Sequence, residues 1–290
     1  TPDNDEITRG FIKQYPFIEI RYTRLGAEQV VNRAMTEHRS GLAAADVISM
    51  RGTFLPDLLD KKIVVRYKSP MIAFLRKGFT DPEGTVATNF ATGYAMIYNT
   101  TRVKPGEVPK SYEDLLHPRW KNRLLLDSDA HDWFAGIIDL MGESKAAAFL
   151  RRLVTENGLT LKRNHSLLTQ LTAAGEHDLL IDGYIHNAVE YKTKRAPIDY
   201  VFTNPTIVKP PSVVAIMARS THPHSAALLL DYMLSKETQE LMAQKQGRWT
   251  TRADVKWLTE PGTEIHVVSP IKWGRRYNEV VELFRKVTSG

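Results

Sequence analysis

Four short polar stretches hold the side chains of this chain that could bind or transform a small molecule. The densest is Asp127-Ser128-Asp129-Ala130-His131-Asp132-Trp133. Asp129, His131 and Asp132 offer hard carboxylate oxygens and one imidazole, a set suited to a transition metal. The same stretch also reads as a helix start, with an Asp as cap and His131 in solvent. Trp133 could stack on an organic cation or fill a core. A second stretch is Asp182-Gly183-Tyr184, where the phenol could contact a ligand and, as phenolate, would offer a hard anionic oxygen to a metal. In Thr23-Arg24-Leu25-Gly26 the planar fork of Arg24 could pair with an anion. Ser49-Met50-Arg51-Gly52 adds a hydroxyl and a second guanidinium. His186 and Glu190, four apart, read as an exposed helical pair. His222 and His224 flank Pro223 and read as a solvated helix start. Asn99-Thr100-Thr101 matches the glycosylation sequon.

Motifs that would name an enzyme are missing. There is no G-x-S-x-G, H-E-x-x-H, G-x-x-x-x-G-K-[ST] or G-x-G-x-x-G. With no cysteine, disulfides, thiolate metal sites and thiol nucleophiles are excluded. The 290 residues, 42% hydrophobic and 25% charged, suffice for two domains. No apolar run approaches the roughly 18 residues of a membrane span. The net charge of +6 favours anionic partners, yet the basic residues are scattered. No basic-aromatic block of a nucleic-acid reader is present. The opening Thr1-Pro2, without Met, suggests that something has been removed, whether a cleaved signal, a segment left out by a cloning choice or a disordered one.

The elements that must position these residues alternate between α and β. Residues 3–15 read as a helix with Ile7, Phe11 and Ile12 on one side, and 18–23 alternate as a strand. Residues 27–39 read as a helix and 46–50 as a strand, together a βαβ unit with parallel strands. Longer strands are expected at 72–79 and 86–98. In residues 108–128 a Ser-capped short helix, a Pro stop and a basic-aromatic turn lead into the buried strand Leu124-Leu125-Leu126. Helices follow at 133–141 and 144–157, a short one capped by Ser166, a strand at 178–182, a helix at 184–194 and a strand at 198–203. Pro210-Pro211 reads as a turn before a strand at 212–218. Helices at 223–234, 236–246 and 275–287 complete the chain. This is an α/β fold with two lobes, and the strands near 86–98 and 201–218 are the expected crossings.

These pieces, in this order, resemble the extracytoplasmic solute-binding proteins of ABC importers, in particular the ferric-iron-binding-like branch. The resemblance is carried by FIKQYPFIEIRY, GLAAADVISM, GYAMIYNT, SYEDLLHPRWKNRLLL, PPSVVAIM, SAALLLDYMLSKETQELMAQ and GRWTTRADV. It implies the type II periplasmic binding protein fold: two doubly wound α/β lobes, a two-strand hinge and a ligand cleft between the lobes. Residues 1–97 plus 208–262 would form lobe 1, and 98–207 plus 263–290 lobe 2, with the family's first strand lying before Thr1. It further implies a bacterial, periplasmic or membrane-anchored binding protein, not an enzyme. Such a protein is a monomer that passes its ligand to a membrane permease. The ligand would be ferric iron as cargo, an anion or a small organic solute, with no cofactor required. Arg24, Ser49, Arg51, Asp129, His131, Asp132, Trp133 and Tyr184 are the expected contacts, with Tyr184 and His131 for a metal. Ferric-binding members carry two consecutive tyrosines at the 182–184 turn; Tyr184-Ile185 keeps the first. The alternatives are a metal-dependent hydrolase using Asp129, His131 and Asp132, or the sensing domain of a receptor.

Overall fold

The computed structural model describes residues 2–80, 88–246, 248–257, 262 and 264–289. Residues 81–87, and with them the expected strand start at Val86, lie outside the described residues. The chain divides into two compact units. The first holds residues 1–91, 210–260 and 269–275, the second residues 92–209, 261–268 and 276–290.

In the first unit, helix α1 (Pro2–Gln14) buries Ile7 and Phe11 against Tyr232 and Met242, while Ile12 stays exposed. Helix α2 (Ala27–Arg39) buries Val31 and Ala34, one turn apart. They pack against strand β1 (Val47–Met50), helix α3 (Leu55–Asp60) and strand β2 (Val64–Val65). Two expectations fail here for one reason. Residues 18–23 alternate in polarity but pair with no strand among the described residues, so the βαβ unit lacks its first strand. Strand β1 instead pairs antiparallel, Val47 opposite Ile216 and Met50 opposite Val213. The expected strand at 72–79 is also different. Ser69 accepts a hydrogen bond from the Met71 N–H and opens a 3-10 turn over Pro70–Phe74, because Pro70 favours a helical first position.

Strand β3 (Thr88–Asn99) carries the chain into the second unit. The expected short helix after Ser111 is two 3-10 turns, Glu113–Leu116 and Pro118–Trp120. Strand β4 (Leu124–Asp127) runs parallel to β5 (Thr160–Lys162) and to β6 (Leu179–Tyr184). Strand β7 (Ile198–Val201) and β6 both pair antiparallel with β3. Leu124, Leu125, Leu126, Leu179, Leu180 and Ile181 are fully buried, as continuous apolar runs in a sheet covered on both faces must be. The connections are α4 (His131–Met141), α5 (Glu143–Thr155), α6 (His165–Ala174) and α7 (Ile185–Thr193). Asn164, not Ser166, caps α6, accepting from the N–H groups of Ser166 and Leu167.

Strand β8 (Thr206–Met217) returns to the first unit without the expected turn at Pro210-Pro211. Prolines suit extended backbone but cannot donate to a ladder. These two fall between the stretch paired with β9 (Ile265–Val267) and the stretch paired with β1. Helices α8 (Pro223–Met233) and α9 (Lys236–Gln246) follow. The expected last helix is α11 (Tyr277–Thr288), and an unforeseen short helix, α10 (Pro270–Arg275), precedes it, parted from it at Arg276, which leaves helical geometry at φ −109°.

Candidate functional site

Two strand ends set the chemistry of the second unit. The runs Leu124-Leu125-Leu126-Asp127 and Leu179-Leu180-Ile181-Asp182 each end an apolar strand on a buried carboxylate, and the strands are neighbours. Asp127 is 2% exposed and Asp182 0%. Between them stands His165, the first residue of α6. Its Nδ1 donates to Asp127 Oδ2 (2.8 Å) and its Nε2 to Asp182 Oδ2 (2.9 Å). An imidazole can donate from both nitrogens only as the imidazolium. Burial pushes the His165 pKa down, but the charge of Asp182 and the hydrogen bonds to both carboxylates outweigh it and raise it to about 10. Burial likewise opposes ionisation of Asp127. The His165 hydrogen bond and charge, with the N–H groups of Asp129 and Asn164, still hold its carboxyl below the usual range.

The face of this imidazolium lies on Tyr184, ring centroids 3.8 Å apart and planes 7° from parallel. Tyr184 is half-buried at the junction of β6 and α7. Lys209, on β8, places its Nζ 4.9 Å from the Tyr184 centroid and 5.7 Å from that of Tyr94. The same ammonium is 3.2 Å from Asp132 Oδ2 at the start of α4. The charges nearest the Tyr184 ring are therefore two cations, each matched to carboxylates. Gly183 fixes this geometry from behind. A Cβ there would sit 2.3 Å from Ile97 Cδ1 and 3.1 Å from the Ala95 carbonyl oxygen, and Ile97 is fully buried. Gly183→Ala should therefore cost about 1–3 kcal/mol in urea unfolding, the usual cost of overpacking. A variant as stable as the parent would show that the contact is not close.

The other expected site residues go elsewhere. Asp129 is exposed and pairs with Arg163 at 2.8 Å. His131 packs edge-on against Tyr277 and Phe284 of α11, with its Nδ1 3.4 Å from the Tyr277 hydroxyl. Asp132 turns to Lys209. The three residues of the hydrolase reading thus take separate partners. Among the described residues no group of three or more His, Asp or Glu side chains is placed to hold a metal ion. Trp133 is fully buried and its Nε1 donates to the Tyr112 hydroxyl at 3.1 Å, so it offers a ligand no face. Arg24, Ser49 and Arg51 are exposed and belong to the first unit, where the Ser49 hydroxyl bonds that of Ser212 at 2.6 Å. His186 lies beside Tyr184, while Glu190 pairs with Lys194 instead. His222 contacts Asp46 at the surface. His165 and Lys209 were not legible as site residues.

An uncharacterized protein of Haemophilus influenzae is 31% identical over 216 residues, 68% of this chain and 60% of that protein. Iron uptake protein A1 of Synechocystis sp. is 20% identical over 174 residues, 55% of this chain and 48% of its own length. The chain thus spans about half to three fifths of the length of these relatives. Among solved structures, the Trichodesmium protein IdiA (FutA) in complex with iron and citrate has a TM-score of 0.85 at 17% identity, covering 99% of this chain and 96% of that one. The ferric binding protein from Campylobacter jejuni has a TM-score of 0.83 at 18% identity, with the same coverage. AfuA from Actinobacillus pleuropneumoniae, with fructose-6-phosphate bound, has a TM-score of 0.78 at 19% identity, covering 99% and 95%. These likenesses establish a shared two-lobed α/β fold. The sequence model of the bacterial extracellular solute-binding proteins matches residues 43–269, more than three quarters of the chain, and the chain belongs to that family.

Proposed function

We propose that this protein is the extracytoplasmic solute-binding component of an ABC importer, and that it captures a small anionic solute and hands it to a membrane permease. One observation carries the choice of ligand. At the family's characteristic tyrosine turn, the groups gathered around Tyr184 are the His165 imidazolium and the Lys209 ammonium. A free metal cation finds the nearby carboxylates already engaged, Asp127 and Asp182 by His165 and Asp132 by Lys209. A ligand that brings its own negative charge meets the Lys209 ammonium and a phenol donor, with the His165 imidazolium stacked on the far side of that phenol ring. The reading agrees with relatives that hold iron with citrate or a sugar phosphate. Among the described residues no helix is long and apolar enough to cross a membrane. We place the protein in the periplasm of a bacterium, free or lipid-anchored.

Ferric iron is the second reading, favoured by the Tyr184 phenol and by the ferric-binding neighbours. A thermal-shift series separates the two, because a ligand of the folded state raises Tm by mass action. Citrate, inorganic phosphate and hexose phosphates are expected to raise Tm, and Fe³⁺ without a chelating anion is not. Lys209→Gln and Tyr184→Phe should each weaken the bound anion about 10- to 100-fold, the worth of one charge-assisted hydrogen bond. A visible-absorbing Fe³⁺ complex abolished by Tyr184→Phe would establish iron instead. A protein indifferent to every anion and to Fe³⁺ would end both.

A further inference from the structure

We infer that His165 is a positioning residue of the ligand site: anchored by Asp127 and Asp182, it closes one face of Tyr184, so that a ligand oxyanion meets the Tyr184 hydroxyl and not its ring. The inference rests on Tyr184 contacting the ligand, as proposed above, and goes beyond it in assigning the means.

The cluster is self-contained. Asp127 Oδ1 accepts from the Asp129 N–H (2.8 Å), and Oδ2 from the Asn164 N–H (3.1 Å) as well as from His165. Asp182 Oδ1 accepts from the Asp127 N–H (3.2 Å) and Oδ2 from His165. Every carboxylate oxygen has its donor, so neither acid is waiting for a cation. Both edges of the imidazolium are committed, which leaves its ring no freedom to swing. What remains available is the face, and that face carries Tyr184.

Stability gives no reason for charge at this place. A buried ion cluster is often no more stabilising than well-packed apolar residues of the same volume. Its distinguishing property is a cation held flat under a phenol ring. Such a cation draws on the ring's electron density and makes the hydroxyl a stronger donor to an anion. It also bars any planar ligand from stacking on that face. The groups facing His165 come from three strands, Asp127 from β4, Asp182 and Tyr184 from β6, and Tyr94 from β3 with ring centroids 6.5 Å apart, while Lys209 of β8 lies over the two tyrosine rings. Lys209 adds a second positive charge 4.9 Å from the Tyr184 ring centroid. The ligand class this selects is a small oxyanion, a phosphate or a carboxylate.

The test removes the imidazolium without emptying the cluster, and leaves its net charge at one negative, on Asp127. His165→Gln combined with Asp182→Asn keeps donors and acceptors in nearly the same places and removes the imidazolium. The probes are inorganic phosphate and citrate, titrated separately by calorimetry to tell a phosphate site from a polycarboxylate site. For whichever binds more tightly, the double variant should lose about 10-fold in affinity. The same pair of changes made on a Tyr184→Phe background should alter affinity less than 2-fold, because His165 acts through that hydroxyl. Nitrogen NMR of the unliganded parent at pH 8.5 should show both His165 ring nitrogens protonated. A neutral ring at that pH, an undiminished affinity in the double variant, or an equal loss on the Phe background would each overturn the inference while leaving the anion reading intact. Failure of the parent to take either probe would overturn the anion reading, and this role with it.

Discussion

Replacing His165 with leucine should lower the stability of the protein by about 3–5 kcal/mol, the usual cost of stranding buried charge by removing its partner. Two carboxylates, at 2% and 0% exposure, would lose the cation they share. Urea unfolding followed by circular dichroism measures the loss. A cost below about 1 kcal/mol would mean that water reaches the carboxylates and that the cluster is not closed. The pH dependence has a definite sign. The folded-state pKa of His165 is raised, to about 10. Its stabilisation is therefore complete below the ordinary histidine pKa of about 6.5 and declines as pH rises toward 10. Asp127 is shifted the other way, so its contribution is present above the ordinary carboxylate pKa and is lost as acid protonates it. The parent should lose stability between pH 7 and 10, and His165→Leu should flatten that slope. An equal slope in both would assign the alkaline loss to other groups.

The second large effect is expected at Trp133. Trp133→Ala should cost about 3–5 kcal/mol, as removal of a buried tryptophan usually does. The indole packs edge-on to Tyr112, centroids 5.6 Å apart, and Tyr112 packs in turn on Phe149 of α5. Burial pushes the Tyr112 pKa up to about 12, against hydrogen bonds with Thr203 and Trp133, so the phenol stays neutral in the core. Trp133→Phe should keep most of the packing but leave the Tyr112 hydroxyl without its indole donor, at about 1–2 kcal/mol. Ligand affinity should be unchanged in Trp133→Phe. A selective loss of binding there would return Trp133 to the ligand site.

Much of the architecture was legible because apolar spacing reports burial directly. The runs that became β4 and β6, and the faces of α1, α2 and α5, are placed by periodicity alone. What misled was alternation without a partner. Ile18 and Ile20 contribute to the α1 cluster, so their period of two is satisfied by packing and not by a ladder. The prolines at 210–211 read as punctuation, yet they fall between two ladders and not at the end of a strand. In the site, Tyr184 was visible as a residue type at a strand-to-helix turn. His165 was not, since it stands 38 residues after Asp127 and 17 before Asp182. A signal did exist: two apolar strands each ended on an Asp that burial would leave in need of a counter-charge. Lys209 sits between Val208 and Pro210, and only the path of β8 brings it over the tyrosine.

The way the chain is divided has a consequence for how it is made. The second unit takes residues 92–209 but also 276–290, and α11 packs on α4 and α5, laid down some 130 residues earlier. The first unit is split in the same manner, since β1 must await residues 213–216 for its ladder. Neither unit can close until residues 213–216 and 276–290 have been made. Contacts so distant in sequence form slowly, and the waiting chain exposes apolar strands. A nascent chain in that state is a substrate for holding chaperones.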